Sequence, residues 1–177
     1  MLNSKGNKMK KIYLLTNYYN SIPQVMHETE SINIERINET LSELYNLEVC
    51  RIEDFSAIEN IDFHNSYFIY TSSQYQEYKS FINDVLLYIY NSGGKLIPRY
   101  EIFHAHENKV FQAFEMKKLN ISTPDWQIIS SLEDGLDKLK DLCYPSVFKT
   151  SFGFGSLGVE LINNKNQALD FVSKNTK

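Results

Sequence analysis

The sequence predicts an α/β protein: a parallel sheet covered by helices on both faces, followed by a small α+β subdomain. Three observations carry that expectation. Within residues 1–100, short runs rich in β-branched and aromatic residues alternate with longer stretches whose apolar residues recur at helical spacing. Strands joined through helices run parallel and are buried on both faces. In residues 101–177, helical stretches lead to two short apolar runs that flank a loop carrying three of the chain's seven glycines.

The elements follow in order. Lys11 to Thr16 reads as the first strand, with Asn17-Tyr18-Tyr19-Asn20 as the loop after it. A helix is expected from Ile32 to Tyr45, a second strand from Leu47 to Ile52 and a third from Ser66 to Thr71. A helix from Tyr75 to Asn91 places Tyr75, Tyr78, Phe81, Ile82, Val85, Leu86 and Ile89 at helical spacing. With 12 Tyr and 11 Phe in the chain, a base-stacking platform is an alternative, but the spacing follows the core period and reads as a packed helix face. Ser92-Gly93-Gly94 turns into a fourth strand, Lys95 to Pro98, and a linker helix follows. Asn108-Lys109 starts a helical stretch through Asn120, which Asn-Ile-Ser-Thr-Pro at 120–124 ends. Trp126 to Ile129 reads as a strand and Leu132 to Leu142 as a helix. A β-prone run then ends at Lys149, the glycine loop opens, and Val159 to Ile162 forms the returning strand. Asn164, with Gln167 three residues on, caps a closing helix.

The glycine loop is the most informative stretch. Glycines at 153, 155 and 158 let the backbone bend sharply and present bare N–H groups to an anion, and Lys149 adds a positive charge just before the bend. A Rossmann fingerprint would need the glycines to open a helix, whereas Val159-Glu160-Leu161-Ile162 is strand-like. A protein-kinase loop places its lysine after the glycines and needs a later catalytic loop. No G-x-x-x-x-G-K-[S/T] occurs, which disfavours a Walker ATPase. The remaining alternative is a structural glycine hairpin with exposed lysines.

The ordered set of Asn108-Lys109, helix, Ser122-Thr123-Pro124, strand, helix, Tyr144-Pro145, Lys149, glycine loop and Val159 resembles the ATP-grasp superfamily, in detail over roughly residues 95–175. The resemblance implies a Rossmann-like pre-ATP-grasp domain in residues 1–100 and the first ATP-grasp lid subdomain in 101–177. It implies ATP as cofactor. Lys109 and Lys149 would be its two phosphate-binding lysines, and Gly153, Gly155, Ser156 and Gly158 the loop over the phosphates. It further implies a ligase joining a carboxylate substrate to an amine or thiol through an acyl phosphate. Mg²⁺ would accompany ATP, but no paired carboxylates follow the loop to hold it. The metal ligands are therefore expected outside this chain, which reads as the N-terminal part of a longer enzyme and is inactive alone. The resemblance leaves a homodimer open.

Ligands of open α/β sheets sit at the carboxyl ends of strands, which makes Thr16, Asn17, Thr71, Ser72 and Arg99 candidates for a substrate crevice, or alternatively loop caps. His104 and His106 with Glu101 and Glu107 lack a zincin spacing and a third ligand, so no metal site is expected there. A net charge of −4 argues against a nucleic-acid partner. The lysines at 5, 8, 10 and 11 precede an apolar run far too short for a membrane span and read as a solvated tail. Two cysteines, Cys50 and Cys143, without metal spacing, fit buried thiols in a reducing cytoplasm. A second functional class stays open: a non-catalytic Rossmann-like nucleotide-binding or interaction domain.

Overall fold

A computed structural model describes residues 10–22, 32–153 and 155–176. The lysine tail before residue 10 lies outside the described residues, as does Phe154 of the glycine loop. The chain divides into two compact units, residues 1–104 and 105–177.

In the first unit four strands pair in the order β2-β1-β3-β4, every pair parallel. They are β1 (Lys11–Thr16), β2 (Asn46–Arg51), β3 (Ser66–Tyr70) and β4 (Lys95–Ile97). The α/β class and the Rossmann-like parallel sheet expected from the sequence are what the fold shows. β1 is central, and its residues from Ile12 to Thr16 are all buried. Alternation along the strands sends Tyr13, Leu15, Phe68, Tyr70 and Leu96 into one core. Helix α3 (Gln76–Asn91) meets them with Ile82, Val85, Leu86 and Ile89, the helical-period residues singled out in the sequence. Phe68, Ile82, Leu86 and Ile89 are fully buried, and each contributes about 1.5–3 kcal/mol. On the opposite face Ile37 and Leu41 of α1 (Ile34–Ser42) stand over Ile69 across an open groove. A short helix α2 (Phe55–Ile58) and a 3₁₀ turn (Phe63–Asn65) fill the passage from β2 to β3. Helix α4 (Tyr100–Ala105) inserts Phe103 edge-on against Tyr70, with ring centroids 5.8 Å apart.

Two boundaries moved for local reasons. α1 starts at Ile34 because the Asn33 carboxamide oxygen accepts the Arg36 N–H at 2.8 Å and so fixes the first turn. It stops at Ser42 because Asn46 already enters the sheet.

The second unit holds α5 (Lys109–Lys118), α6 (Leu132–Lys138), an antiparallel hairpin of β5 (Ser146–Lys149) and β6 (Val159–Ile162), and α7 (Lys165–Asn175). Trp126 to Ile129 does not form the expected strand. β5 and β6 pair with each other, and residues 121–130 join no ladder. Instead, Ile129 packs beside the core of Leu139, Ile162, Ala168, Phe171 and Val172, and the Ile128 carbonyl accepts the Lys138 ammonium. Its apolar residues thus serve packing rather than pairing. α6 lies so close to α7 that a Cβ on Gly135 would come within 2.7 Å of Val172 Cγ1. Phe148 of the hairpin stacks on Phe171 of α7 at 5.5 Å.

Candidate functional site

The site is built where α5 begins and the hairpin turns. The buried Asn108 caps α5, its side-chain oxygen accepting the Phe111 N–H at 3.1 Å. Asn108 also bridges antiparallel to Phe152, and the Lys109 N–H donates to the Ser151 carbonyl at 2.9 Å. The start of α5 is thereby strapped onto the backbone just after Lys149. The half-buried Lys109 side chain turns the same way, and its ammonium donates to the Gly153 carbonyl at 3.1 Å. Two motifs 44 residues apart are thus joined by a charge-assisted hydrogen bond.

The turn between β5 and β6 is a run of left-handed backbone. Gly153, Gly155 and Gly158 have φ of 138°, 57° and 69°, and Ser156, though not glycine, has φ of 64°. Thr150 closes its base: its N–H donates to the Gly158 carbonyl at 2.8 Å and its hydroxyl to the Phe152 carbonyl at 2.8 Å. Gly158 has no alternative at this position, since a Cβ there would lie 2.2 Å from the Thr150 hydroxyl oxygen. Lys149 ends β5 opposite Val159 and is exposed. The result is a strand-end cation, a helix-start cation and a turn whose glycines permit backbone N–H groups to face an anion.

The residues expected at a substrate crevice lie at or just after the carboxyl ends of β1 and β3, where the strand order reverses, and, for Arg99, of β4; they are unequally available. The Asn17 side-chain oxygen is spent on its own loop, accepting from the Tyr19 N–H, the Ser21 N–H and the Ser21 hydroxyl at 2.9–3.0 Å. The buried Thr16 donates to the Cys50 carbonyl at 3.3 Å. Thr71 is also buried, with its N–H on the Leu15 carbonyl at 2.8 Å. The Ser72 hydroxyl is buried with no partner among the described residues, and Arg99 is exposed. Sequence reasoning passed over Glu53, which accepts from the Tyr78 hydroxyl and keeps its second, buried carboxylate oxygen without a partner among the described residues. Its place beside Asp54, the α2 cap, hid it among capping signals. Thr150 was missed too, although a hydroxyl residue directly between lysine and glycines was visible. His106 lies 3.9 Å from Glu107, and no group of three or more His, Cys, Asp or Glu side chains among the described residues is placed to hold a metal.

Comparison with known proteins places this geometry. The crystal structure of a RimK-domain ATP-grasp protein from Sphaerobacter thermophilus superposes with a TM-score of 0.55 at 12% identity, covering 93% of this chain and 58% of that one. N5-carboxyaminoimidazole ribonucleotide synthetase from Thermotoga maritima gives 0.51 at 17% identity, covering 92% and 43%. The same enzyme from Thermus thermophilus gives 0.53 at 13%, covering 93% and 44%. The chain shares the fold of these proteins, the first of which is an ATP-grasp protein. In sequence, D-alanine–D-alanine ligase A of Bacillus cereus is 38% identical over 53 residues, 29% of this chain and 18% of that protein. No family model matches the chain. The chain spans about half the length of the solved proteins it resembles.

Proposed function

We propose that the chain is the ATP-holding and substrate-crevice part of a ligase that joins a carboxylate to an amine or thiol. The observation that carries this reading is the Lys109 ammonium on the Gly153 carbonyl, because it assembles the two expected phosphate motifs at one place. Residues 1–100 would serve as the pre-ATP-grasp domain and 101–177 as the first ATP-grasp subdomain. Lys109 and Lys149 supply fixed charge to phosphate oxygens, and Gly153, Gly155, Ser156 and Gly158 let the turn lie against them. Lysine suits this task as a compact point charge whose three donors adapt to different oxygens.

In the proposed reaction an oxygen of the substrate carboxylate bonds to the γ-phosphorus of ATP while the bond to the bridging oxygen breaks and ADP leaves. The amine or thiol then attacks the acyl carbon and phosphate departs. The chain's own contribution is orientation and charge neutralisation, which need no covalent residue. Mg²⁺ belongs to the same reading as the partner of the triphosphate. Thr16, Asn17, Thr71, Ser72 and Arg99 are proposed as the crevice for the carboxylate substrate, with Ser72 and Arg99 the freest to reach it. The reading places the protein in the cytoplasm, where its free thiols Cys50 and Cys143 stay reduced. Among the described residues no helix is long and apolar enough to cross a membrane.

Calorimetric titration with ATP tests the proposal. The wild-type chain is expected to bind and the double variant Lys109→Met, Lys149→Met to lose that binding with its far-UV spectrum unchanged. Equal affinity in both proteins would refute it.

A further inference from the structure

The Thr150 side chain reaches more of the glycine turn than any role as a simple strand-end residue requires. Its hydroxyl donates to the Phe152 carbonyl at 2.8 Å, and its N–H donates to the Gly158 carbonyl at 2.8 Å. It occupies the space a Cβ on Gly158 would take, and its oxygen lies 3.7 Å from where a Cβ on Gly153 would sit. One side chain therefore meets both ends of the turn.

The consequence follows from peptide planarity. In a trans peptide the carbonyl of one residue and the N–H of the next point in opposite directions. Holding the Phe152 carbonyl against Thr150 turns the Gly153 N–H away from Thr150, and that N–H has no hydrogen-bond partner among the described residues. The same peptide flipped over would present a carbonyl oxygen instead, which repels a phosphate. Gly153, with no Cβ, offers little resistance to such a flip. A β-branched threonine, stiff about χ1, supplies the restraint that glycine lacks.

We infer that Thr150 is a positioning residue for phosphate: it sets the Phe152–Gly153 peptide so that the Gly153 N–H, and not the Phe152 carbonyl, faces the anion. The inference rests on the ATP-binding reading above, and the ligand class is a polyphosphate chain.

The test uses the whole chain labelled with ¹⁵N-glycine, whose seven glycines give a sparse spectrum. Wild type, Thr150→Ser and Thr150→Val are titrated with ATP and, separately, with inorganic tripolyphosphate. In wild type and Thr150→Ser the Gly153 amide is expected to move downfield on binding. In Thr150→Val, which keeps the shape and loses the hydroxyl, that shift should vanish and affinity fall roughly three- to tenfold. Thr150→Ala provides a second hydroxyl deletion if valine disturbs the fold, judged by the glycine spectrum without ligand. Full affinity and an unchanged Gly153 shift in the folded hydroxyl-deletion variant would overturn the role of Thr150 and leave ATP binding standing. A wild-type chain that binds neither probe would overturn both.

Discussion

Lys109 is a cation held against a backbone carbonyl rather than a carboxylate, and that choice has consequences at the scale of one residue. A carboxylate partner would compete with a phosphate at equal charge, whereas the Gly153 carbonyl yields to one. The bond still restrains the turn in the free protein. Lys109→Met should therefore act twice, weakening the proposed ATP binding roughly ten- to a hundredfold and also speeding amide exchange of the turn without ligand. The exposed Lys149, by contrast, should affect binding alone. Hydrogen exchange followed by mass spectrometry separates the two, and equal protection of the turn in both variants would contradict the assignment. The cysteines differ in a similar way. Burial, with Glu48 and Asp54 nearby, pushes the Cys50 thiol up to about 11, while Cys143 is exposed. Because the folded protein keeps the Cys50 proton that an unfolded thiol releases near pH 9, its contribution to stability falls as pH rises from about 9 to 11. Iodoacetamide at pH 8 is expected to modify Cys143 and spare Cys50 until urea unfolds the chain. Equal modification of both in native protein would show that Cys50 is not shielded.

At the scale of elements, α6 approaches α7 closely at Gly135. A methyl group there meets Val172 Cγ1 of the core at 2.7 Å and Ile129 Cγ2, packed against that core, at 3.1 Å. Gly135→Ala should cost about 1–3 kcal/mol by overpacking, even though alanine favours the helix itself. Urea unfolding followed by circular dichroism would measure the loss, and a stabilised variant would mean that the two helices can separate freely. The same region shows what the sequence could and could not convey. The parallel strands were legible because burial on both faces favours short continuous apolar runs, and α3 because packing on the sheet imposes the helical period over many residues. Lys109, Lys149 and the glycines were legible as motifs because charge and missing Cβ atoms are rare signals. Trp126 to Ile129 misled because a short apolar run looks alike whether it pairs or packs, and only the presence of a neighbouring edge decides. Glu53 and Thr150 were illegible because their parts depend on partners 25 residues away in one case and on one carbonyl's orientation in the other.

On the scale of the whole molecule, each unit carries its own hydrophobic core, one around Phe68 and α3, the other around Phe171 and α6. The chain's single tryptophan, Trp126, belongs to the second unit, with its ring against Phe114 at 6.2 Å. Its fluorescence thus reports the second unit, while far-UV circular dichroism reports both. Denaturant unfolding is expected to give transitions that do not coincide between the two probes. Coincident curves would show that the two cores open as one cooperative body.

The contact at Gly135 also bears on motion. With α6 keyed into α7, and α7 stacked through Phe171 onto Phe148 of β5, two helices and a hairpin pack together. Under the proposed ATP reading, the turn would adjust to a nucleotide through backbone torsions at Gly153, Gly155 and Gly158 rather than through sliding of the helices behind them.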